Sequence, residues 1–339
     1  MTNRGSDVAV SAAPIRRSML KFLRTGRFLV RFLGTLLALA TIGTIVEFML
    51  DRRDLARVPP PGRLVNVAGY RLHIWCRGIG TPTVVMDAGL GGTSLVWNYV
   101  LDGVSRFTQA CAYDHAGQGY SDESTNPQTS LQIAQDLYLL LQHAQNREPL
   151  VLVGSSFGGF NVRLFAGEHP DRTVGMVLVD APHEDDGGNG ELPWFAAMIP
   201  TAGTIGAMRL LGVSLGADPD TEPEDVREYQ RATSYLASRF RSMYSEASRL
   251  GESSAQVRAR RRPFSMPLMV LSRGRNQNAR SLQFQRMQAA LSPRGCQVTV
   301  EGAGHIIQRD NPQAVVDAVR ATIEASHRQE GTPCDVNYH

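Results

Sequence analysis

The stretch "VLVGSSFGGF", Val151 to Phe160, decides how this chain is read. An apolar run stops at a glycine, two serines stand side by side, and two glycines follow. Gly154-Ser155-Ser156-Phe157-Gly158 fits the pattern G-x-S-x-G, with Ser156 at its centre. The spacing has a backbone cause. Where a strand turns sharply into a helix, side chains two positions either side of the central residue would clash, so glycine stands at both. The central serine is then held in a strained conformation with its hydroxyl exposed. The context that the pattern requires is present: "LVLVG" reads as a buried strand, and Gly158 to about His169 reads as a helix. Ser155 points the other way at such a turn, which leaves Ser156 as the candidate nucleophile.

Working outward, the same strand–helix rhythm recurs. Arg63–Val67 and Tyr70–Cys76 read as a hairpin around "AGY". "TVVMDAG" is a buried strand, "SLVWNYVLDGV" a helix, "QACAYD" a strand, and "LQIAQDLYLLLQHA" an amphipathic helix. After the opening stretch come "VGMVLVD", then much later "PLMVLS", a helix near Ser281–Leu291, "CQVTVE", and a last helix near Pro312–Ser326. Apolar strands alternating with helices mean an α/β domain, a mostly parallel sheet with helices on both faces. The rhythm stops at about residues 183–265, where an apolar stretch, an acidic loop and an arginine-rich run follow one another. This is read as a helical cap inserted after the sixth strand, because insertions at strand C-termini sit over the ligand crevice of open α/β sheets.

A serine needs a base to take its proton. "VTVEGAGHIIQ" places His305 in a glycine-containing loop after the last strand, and loops at strand C-termini converge over the sheet. His115 and His183 also lie at strand ends and are the alternatives. The imidazole in turn needs a carboxylate to fix its tautomer and stabilise its charged form. The loop after the seventh strand, "SRGRNQNARS", holds no acid, and no Asp or Glu occurs from Ser253 to Thr299. The strand-end carboxylate between Ser156 and that gap is Asp180, which closes "VLVD"; Glu184, Asp185 and Asp186 are nearby alternatives, and Asn276 could orient a histidine without negative charge. Backbone N–H groups should face the developing oxyanion. Phe157, just after the nucleophile, supplies one, and Leu90 in "DAGLGGTS" the other. That glycine-rich loop fits neither the P-loop spacing nor a dinucleotide fingerprint, so no nucleotide cofactor is expected.

The chain has 339 residues, 42% of them hydrophobic and 20% charged, a globular composition. Its net charge of +3 is unevenly placed. Residues 1–31 carry seven basic side chains against Asp7, so the remainder is mildly acidic, which argues against nucleic-acid binding. "FLGTLLALATIGTIVEFML", Phe32 to Leu50, is apolar except for Glu47 near one end, where a charge can reach the interface. At about 1.5 Å per residue it makes a helix close to the roughly 30 Å of a hydrocarbon core. Positive charge before it predicts a single-pass membrane anchor with the N-terminus in the cytoplasm. The catalytic domain then faces the periplasm or exterior, as for a bacterial inner-membrane protein. A cleaved signal peptide ending at "ALA", Ala38–Ala40, and a secreted product is the other reading. The expected layout is a basic tail over 1–31, the span over 32–50, a proline-rich linker over 51–62, the main domain over 63–328 with its cap, and a tail over 329–339.

Together "VVMDAGLGG", "AYDHAGQGYSD", "VLVGSSFGG", "VLVDAPH" and "GAGHIIQRDNP" give the chain a resemblance to the α/β-hydrolase superfamily over about residues 63–328. The resemblance implies an eight-stranded sheet, a cap, and a Ser156–His305–Asp180 triad flanked by Gly154 and Gly158. Three departures stand out: Ala88 and Ser155 replace histidines that many members carry, and the common acid after the seventh strand is missing. Asp114 and Ser121 in the "YDHAGQGYSD" loop read as structural. The superfamily places strands two and four side by side, so Cys76 and Cys111 could pair and Cys296 could then pair with Cys334; four reduced cysteines is the other reading. No metal is expected, since no paired ligand motif occurs. The function implied is a serine hydrolase without cofactor, cleaving a carboxylic ester of a hydrophobic small molecule. An amidase or aminopeptidase on the same triad, or a non-catalytic ligand-binding protein on this scaffold, are the alternatives.

Overall fold

A computed structural model of the chain describes residues 13–187, 191–216, 224–328 and 330–335. The strands are β1 (Arg63–Val67), β2 (Tyr70–Arg77), β3 (Thr83–Asp87), β4 (Ala110–Tyr113), β5 (Leu150–Ser155), β6 (Thr173–Val179), β7 (Leu268–Arg273) and β8 (Gly295–Val300). They form one sheet in the order β1-β2-β4-β3-β5-β6-β7-β8. Only β2 runs against its neighbours; every pairing from β4 to β8 is parallel. The expected eight-stranded, mostly parallel sheet is therefore present. The central strands β3, β4 and β5 are buried along their whole length, because helices cover both faces.

Two apolar layers result. On one face α3 (Ser130–His143) and α4 (Gly158–Glu168) pack on the sheet through Leu137, Leu141, Phe160 and Phe165. On the other, α2 (Asn98–Ser105), with the turn before it, and α11 (Pro312–Ser326) bring Trp97, Leu101, Val315 and Val319 against it. The helix expected over "SLVWNYVLDGV" opens as a 3-10 turn, Ser94–Trp97, before α2 begins. Helix α10 (Ala279–Ala289) packs beside β7 and β8.

Between β6 and β7 lies the cap. It comprises a 3-10 turn (Trp194–Met198), α5 (Ile199–Thr204), α6 (Ala207–Leu210), α7 (Glu224–Thr233), α8 (Ala237–Ser248) and α9 (Leu250–Ala259). The acidic loop "ADPDTEPED" falls largely outside the described residues. The cap is not wholly above the crevice: α9 packs beside α3 and α4, whereas α8 lies over the loops that follow β3 and β4.

The N-terminal helix α1 runs from Ala13 to Arg57, longer on both sides than the apolar run. The segment read as a linker, 51–62, is thus helical through Arg57, and only the proline-containing remainder joins helix to sheet. "DRRDLAR" contains no helix breaker, and the first proline comes at Pro59. Glu47, near the end of the apolar run, is not exposed to solvent. It is buried against the cap, where Arg209 donates hydrogen bonds to both its carboxylate oxygens at 3.0 and 3.1 Å. The same guanidinium reaches Asp51 at 3.0 Å and Asp54 at 2.8 Å. One arginine of the cap therefore binds three successive acidic positions along one side of α1.

Cys76 and Cys111 are facing partners in the β2–β4 pairing and form a disulfide. A second joins Cys296 on β8 to Cys334.

Candidate active site

Strand β5 delivers Ser156 to the crevice. Its backbone sits in the left-handed region, at φ +49°, a conformation that costs a non-glycine residue free energy and persists only where neighbours impose it. Here the turn from β5 into α4 imposes it. The amide of Ser156 is still bound to the Val179 carbonyl at 3.0 Å, and its own carbonyl already accepts from Gly159 at 2.8 Å. The flanking glycines are sterically required. A Cβ at Gly154 would stand 2.6 Å from the Gly158 carbonyl oxygen, and one at Gly158 would stand 2.6 Å from that of Asp87. Ser155 is buried, and its hydroxyl is engaged by the Gln308 side-chain amide at 3.1 Å. The two adjacent serines therefore face opposite sides of the turn, with Ser156 on the crevice side.

His305 presents Nε2 to the Ser156 hydroxyl at 3.0 Å. Its Nδ1 lies 2.5 Å from Oδ2 of Asp180. An ionised carboxylate only accepts, so Nδ1 carries the proton and Nε2 offers its lone pair to the serine. Asp180 also takes a left-handed conformation, φ +43°, which turns its carboxylate from the end of β6 across to the loop after β8. It is buried, and the β7 residue Arg273 lends it a backbone N–H at 3.4 Å and a guanidinium at 3.6 Å. The last residue of the seventh strand thus contributes a cation, and the loop after it contributes no acid.

The alternatives are engaged elsewhere. Glu184 holds Arg163 in two hydrogen bonds of 2.7 and 2.9 Å, Asp185 binds Arg258 at 2.8 Å, and Asp186 faces Arg280 at 3.5 Å. His183 stacks on Phe284, and burial lowers its pKa. His115 sits between Asp87 and Glu246, at 2.9 Å from each. Asp114 binds His73 at 2.8 Å and accepts the amides of Ser94 and Tyr120, while Ser121 donates to the Asp114 carbonyl. These two residues fix the loop after β4, as their pattern suggested.

The loop after β3 passes directly over the nucleophile: a Cβ at Gly89 would lie 3.0 Å from that of Ser156. Leu90 follows Gly89, and Phe157 stands at the N-terminal end of α4, where backbone N–H groups favour negative charge. Sequence reasoning missed what holds this loop. Glu246 of α8 accepts the Gly91 N–H at 2.7 Å, and Arg239 of the same helix donates to the Gly91 carbonyl at 2.9 Å. Both side chains are buried. Behind them Asp87 also binds Tyr113 and Asn161. Burial opposes charge on His115, but the two carboxylates outweigh it and raise its pKa from 6.5 to about 10. Burial lowers the pKa of Arg239 to about 10. The one available signal was an aspartate closing a buried strand, "VVMD".

Among the described residues, one cavity contains the Ser156–His305 pair and a second is lined by Leu90 and by Ile306, the neighbour of His305. The first, of about 120 Å³, includes Ser156, His183 and Phe284. The other, about 360 Å³, lies between the β3 loop and the cap and is lined by Leu90, Leu95, Leu215, Val226, Met243 and Ile306. A larger hollow of about 480 Å³, around Gln109 and Glu148, is at the opposite ends of the strands, away from this chemistry.

A family model described as the alpha/beta hydrolase family matches residues 84–318. A protein named as a probable transporter, efuK of Hormonema carpetanum, is 30% identical over 129 residues, 36% of this chain and 18% of its own length. The 2-hydroxymuconate semialdehyde hydrolase of Pseudomonas sp. is 30% identical over 123 residues, 36% of this chain and 44% of that enzyme. The chain thus spans less than half the length of either. Among solved structures, a thermophilic esterase from Thermogutta terrifontis superposes with a TM-score of 0.62 over 78% of this chain and 99% of the esterase, at 21% identity, a likeness of fold alone.

Proposed function

The chain belongs to the alpha/beta hydrolase family, and on that premise we propose that it is a serine hydrolase acting on a carboxylic ester of a hydrophobic small molecule. The observation that carries this reading is the unbroken run of hydrogen bonds from Ser156 through His305 to Asp180. His305 Nε2 takes the hydroxyl proton as Ser156 Oγ adds to the ester carbonyl. Asp180 holds the imidazole in the tautomer that can accept it and stabilises the imidazolium that forms. The N–H groups of Leu90 and Phe157 receive the oxyanion. His305 then passes its proton to the departing alcohol, leaving an acyl group on Ser156, and a water activated by the same imidazole releases the acid. The apolar cavity beside Leu90 and Ile306 is large enough for one part of an aliphatic ester.

We infer further that α1 anchors the enzyme in a membrane with the main domain on the non-cytoplasmic side. A disulfide within the main domain, a second from it to the C-terminal tail, and seven basic side chains ahead of the apolar run support that orientation.

A fluorophosphonate probe tests the nucleophile. The wild-type chain should be labelled and should hydrolyse p-nitrophenyl esters, with a preference for longer acyl chains. Ser156→Ala should lose labelling and at least about a thousandfold in kcat. Equal labelling of the two proteins would overturn the reading. Faster turnover of a matched amide than of the ester would move the enzyme to the amidase alternative.

A further inference from the structure

The cap touches α1 within the apolar stretch rather than beyond it. A Cβ on Gly43 would stand 2.5 Å from the carbonyl oxygen of Ile205, so the end of α5 is in backbone contact with the helix at that level. One turn further, Gly206 lies beside Glu47, and Arg209 of α6 clasps Glu47. On the far side of the same turns, Ile45, Phe48 and Met49 are more than half exposed. On the reading of α1 as a membrane anchor, a bilayer covering the exposed Phe48 and Met49 reaches the level at which the cap is attached. Gly43 lies seven residues before Leu50, about 10 Å inside the end of the apolar run.

The cap segments that flank α5 in the chain, the first of which packs on α5, are unusually apolar outside. Trp194, Phe195, Met198, Leu210, Leu211 and Val213 are exposed, the leucines at 88% and 74% and Trp194 at 82%. They cluster within the cap segment that includes α5 and α6, and the chain then runs on to Leu215 and Gly216, which wall the 360 Å³ cavity. Soluble proteins seldom leave so many large apolar side chains together.

We propose that this face of the cap is immersed in the lipid leaflet on the main-domain side. The occupant is the bilayer itself, and the ester substrate is drawn from it through the cap. The proposal rests on the reading of α1 as a membrane anchor. Charge placement agrees with it: Glu47 is buried and its charge is paired with the part-buried Arg209, as an ion at that depth requires.

Trp194 supplies the probe, because the other two tryptophans, Trp75 and Trp97, are buried. The full chain is reconstituted in phosphatidylcholine vesicles, and the Trp194 signal is taken as the difference from Trp194→Phe. Lipids brominated in their acyl chains should quench that signal, and aqueous iodide should not. In parallel, Leu210→Asp/Leu211→Asp should keep its rate on a short water-soluble ester and lose at least about tenfold on a long-chain ester dissolved in the vesicles. Alkaline carbonate extraction separates the premises. A chain that resists carbonate while Trp194 is quenched by iodide and not by brominated lipid overturns the proposal and leaves the anchor standing. A chain that carbonate releases overturns both.

Discussion

At Ser156 and Asp180 two strands end in left-handed residues that are not glycine, and these two side chains converge on His305. Such backbone strain persists where the surrounding structure over-determines it, which is the condition for a preorganised site. Asp180→Asn tests the acid. The asparagine is nearly isosteric, so the fold and melting temperature should hold, but an amide cannot select the Nδ1–H tautomer. We expect kcat on the ester to fall by about 10⁴ with circular dichroism unchanged; near-normal turnover would move the acid's role elsewhere. This part of the site was legible in the sequence because each residue stands at the end of an apolar strand, and strand ends converge by topology. The Asp87–His115–Glu246 cluster was not. Glu246 comes 131 residues after His115, from a helix whose packing no local periodicity reveals.

Among the elements, α8 does the least expected work. Its Arg239 and Glu246 grip the two sides of Gly91, whose φ of +66° already confines the loop, and Met243 between them fills the space where a Cβ on Gly91 would go. The helix thereby fixes the backbone next to Leu90, the residue proposed as an oxyanion donor. Glu246→Ala should leave His115 with Asp87 as its remaining carboxylate partner, and the buried His115 Nδ1–H and Gly91 N–H without acceptors, lowering stability by about 2–4 kcal/mol in thermal unfolding. Glu246→Gln keeps an acceptor for Gly91, so it should recover part of that stability. Its kcat should still fall about tenfold at unchanged KM, because the loop's donor matters most for the oxyanion. An unchanged kcat would reduce α8 to a packing element. The boundaries of most elements were readable from period and punctuation, as with Pro312–Ser326, where asparagine, proline and an apolar stripe mark the start. The extension of α1 to Arg57 was not, because hydropathy reports where apolar residues end and not where a helix does. The burial of Glu47 was hidden for a related reason: its partner, Arg209, lies 162 residues away in the cap.

The whole molecule is a sheet enzyme fold joined to a long helix through its cap, with buried ion clusters at the joints. Two of these clusters, around His115 and around Glu184, make its stability depend on pH in opposite directions. His115 has a folded pKa of about 10 against an ordinary 6.5, because Asp87 and Glu246 outweigh the burial that opposes its charge. The folded state therefore binds that proton more tightly than the unfolded one. The contribution is whole below pH 6.5, declines as pH rises, and is gone above about 10. Glu184 shows the reverse. Burial would raise its pKa, but the hydrogen bonds from Arg163 prevail and lower it from 4.5 to about 2. Its contribution is whole above pH 4.5 and is lost as pH falls towards 2. Melting temperature of the full chain in detergent should therefore be highest between about pH 4.5 and 6.5 and fall on both sides. The two limbs are separable by substitution. His115→Gln should lower the maximum and flatten the alkaline limb while leaving the acid limb in place, and Glu184→Gln should also lower the maximum but flatten the acid limb and leave the alkaline one. An alkaline limb that keeps its slope in His115→Gln would show that the Asp87–His115–Glu246 cluster does not hold the cap against the sheet by charge.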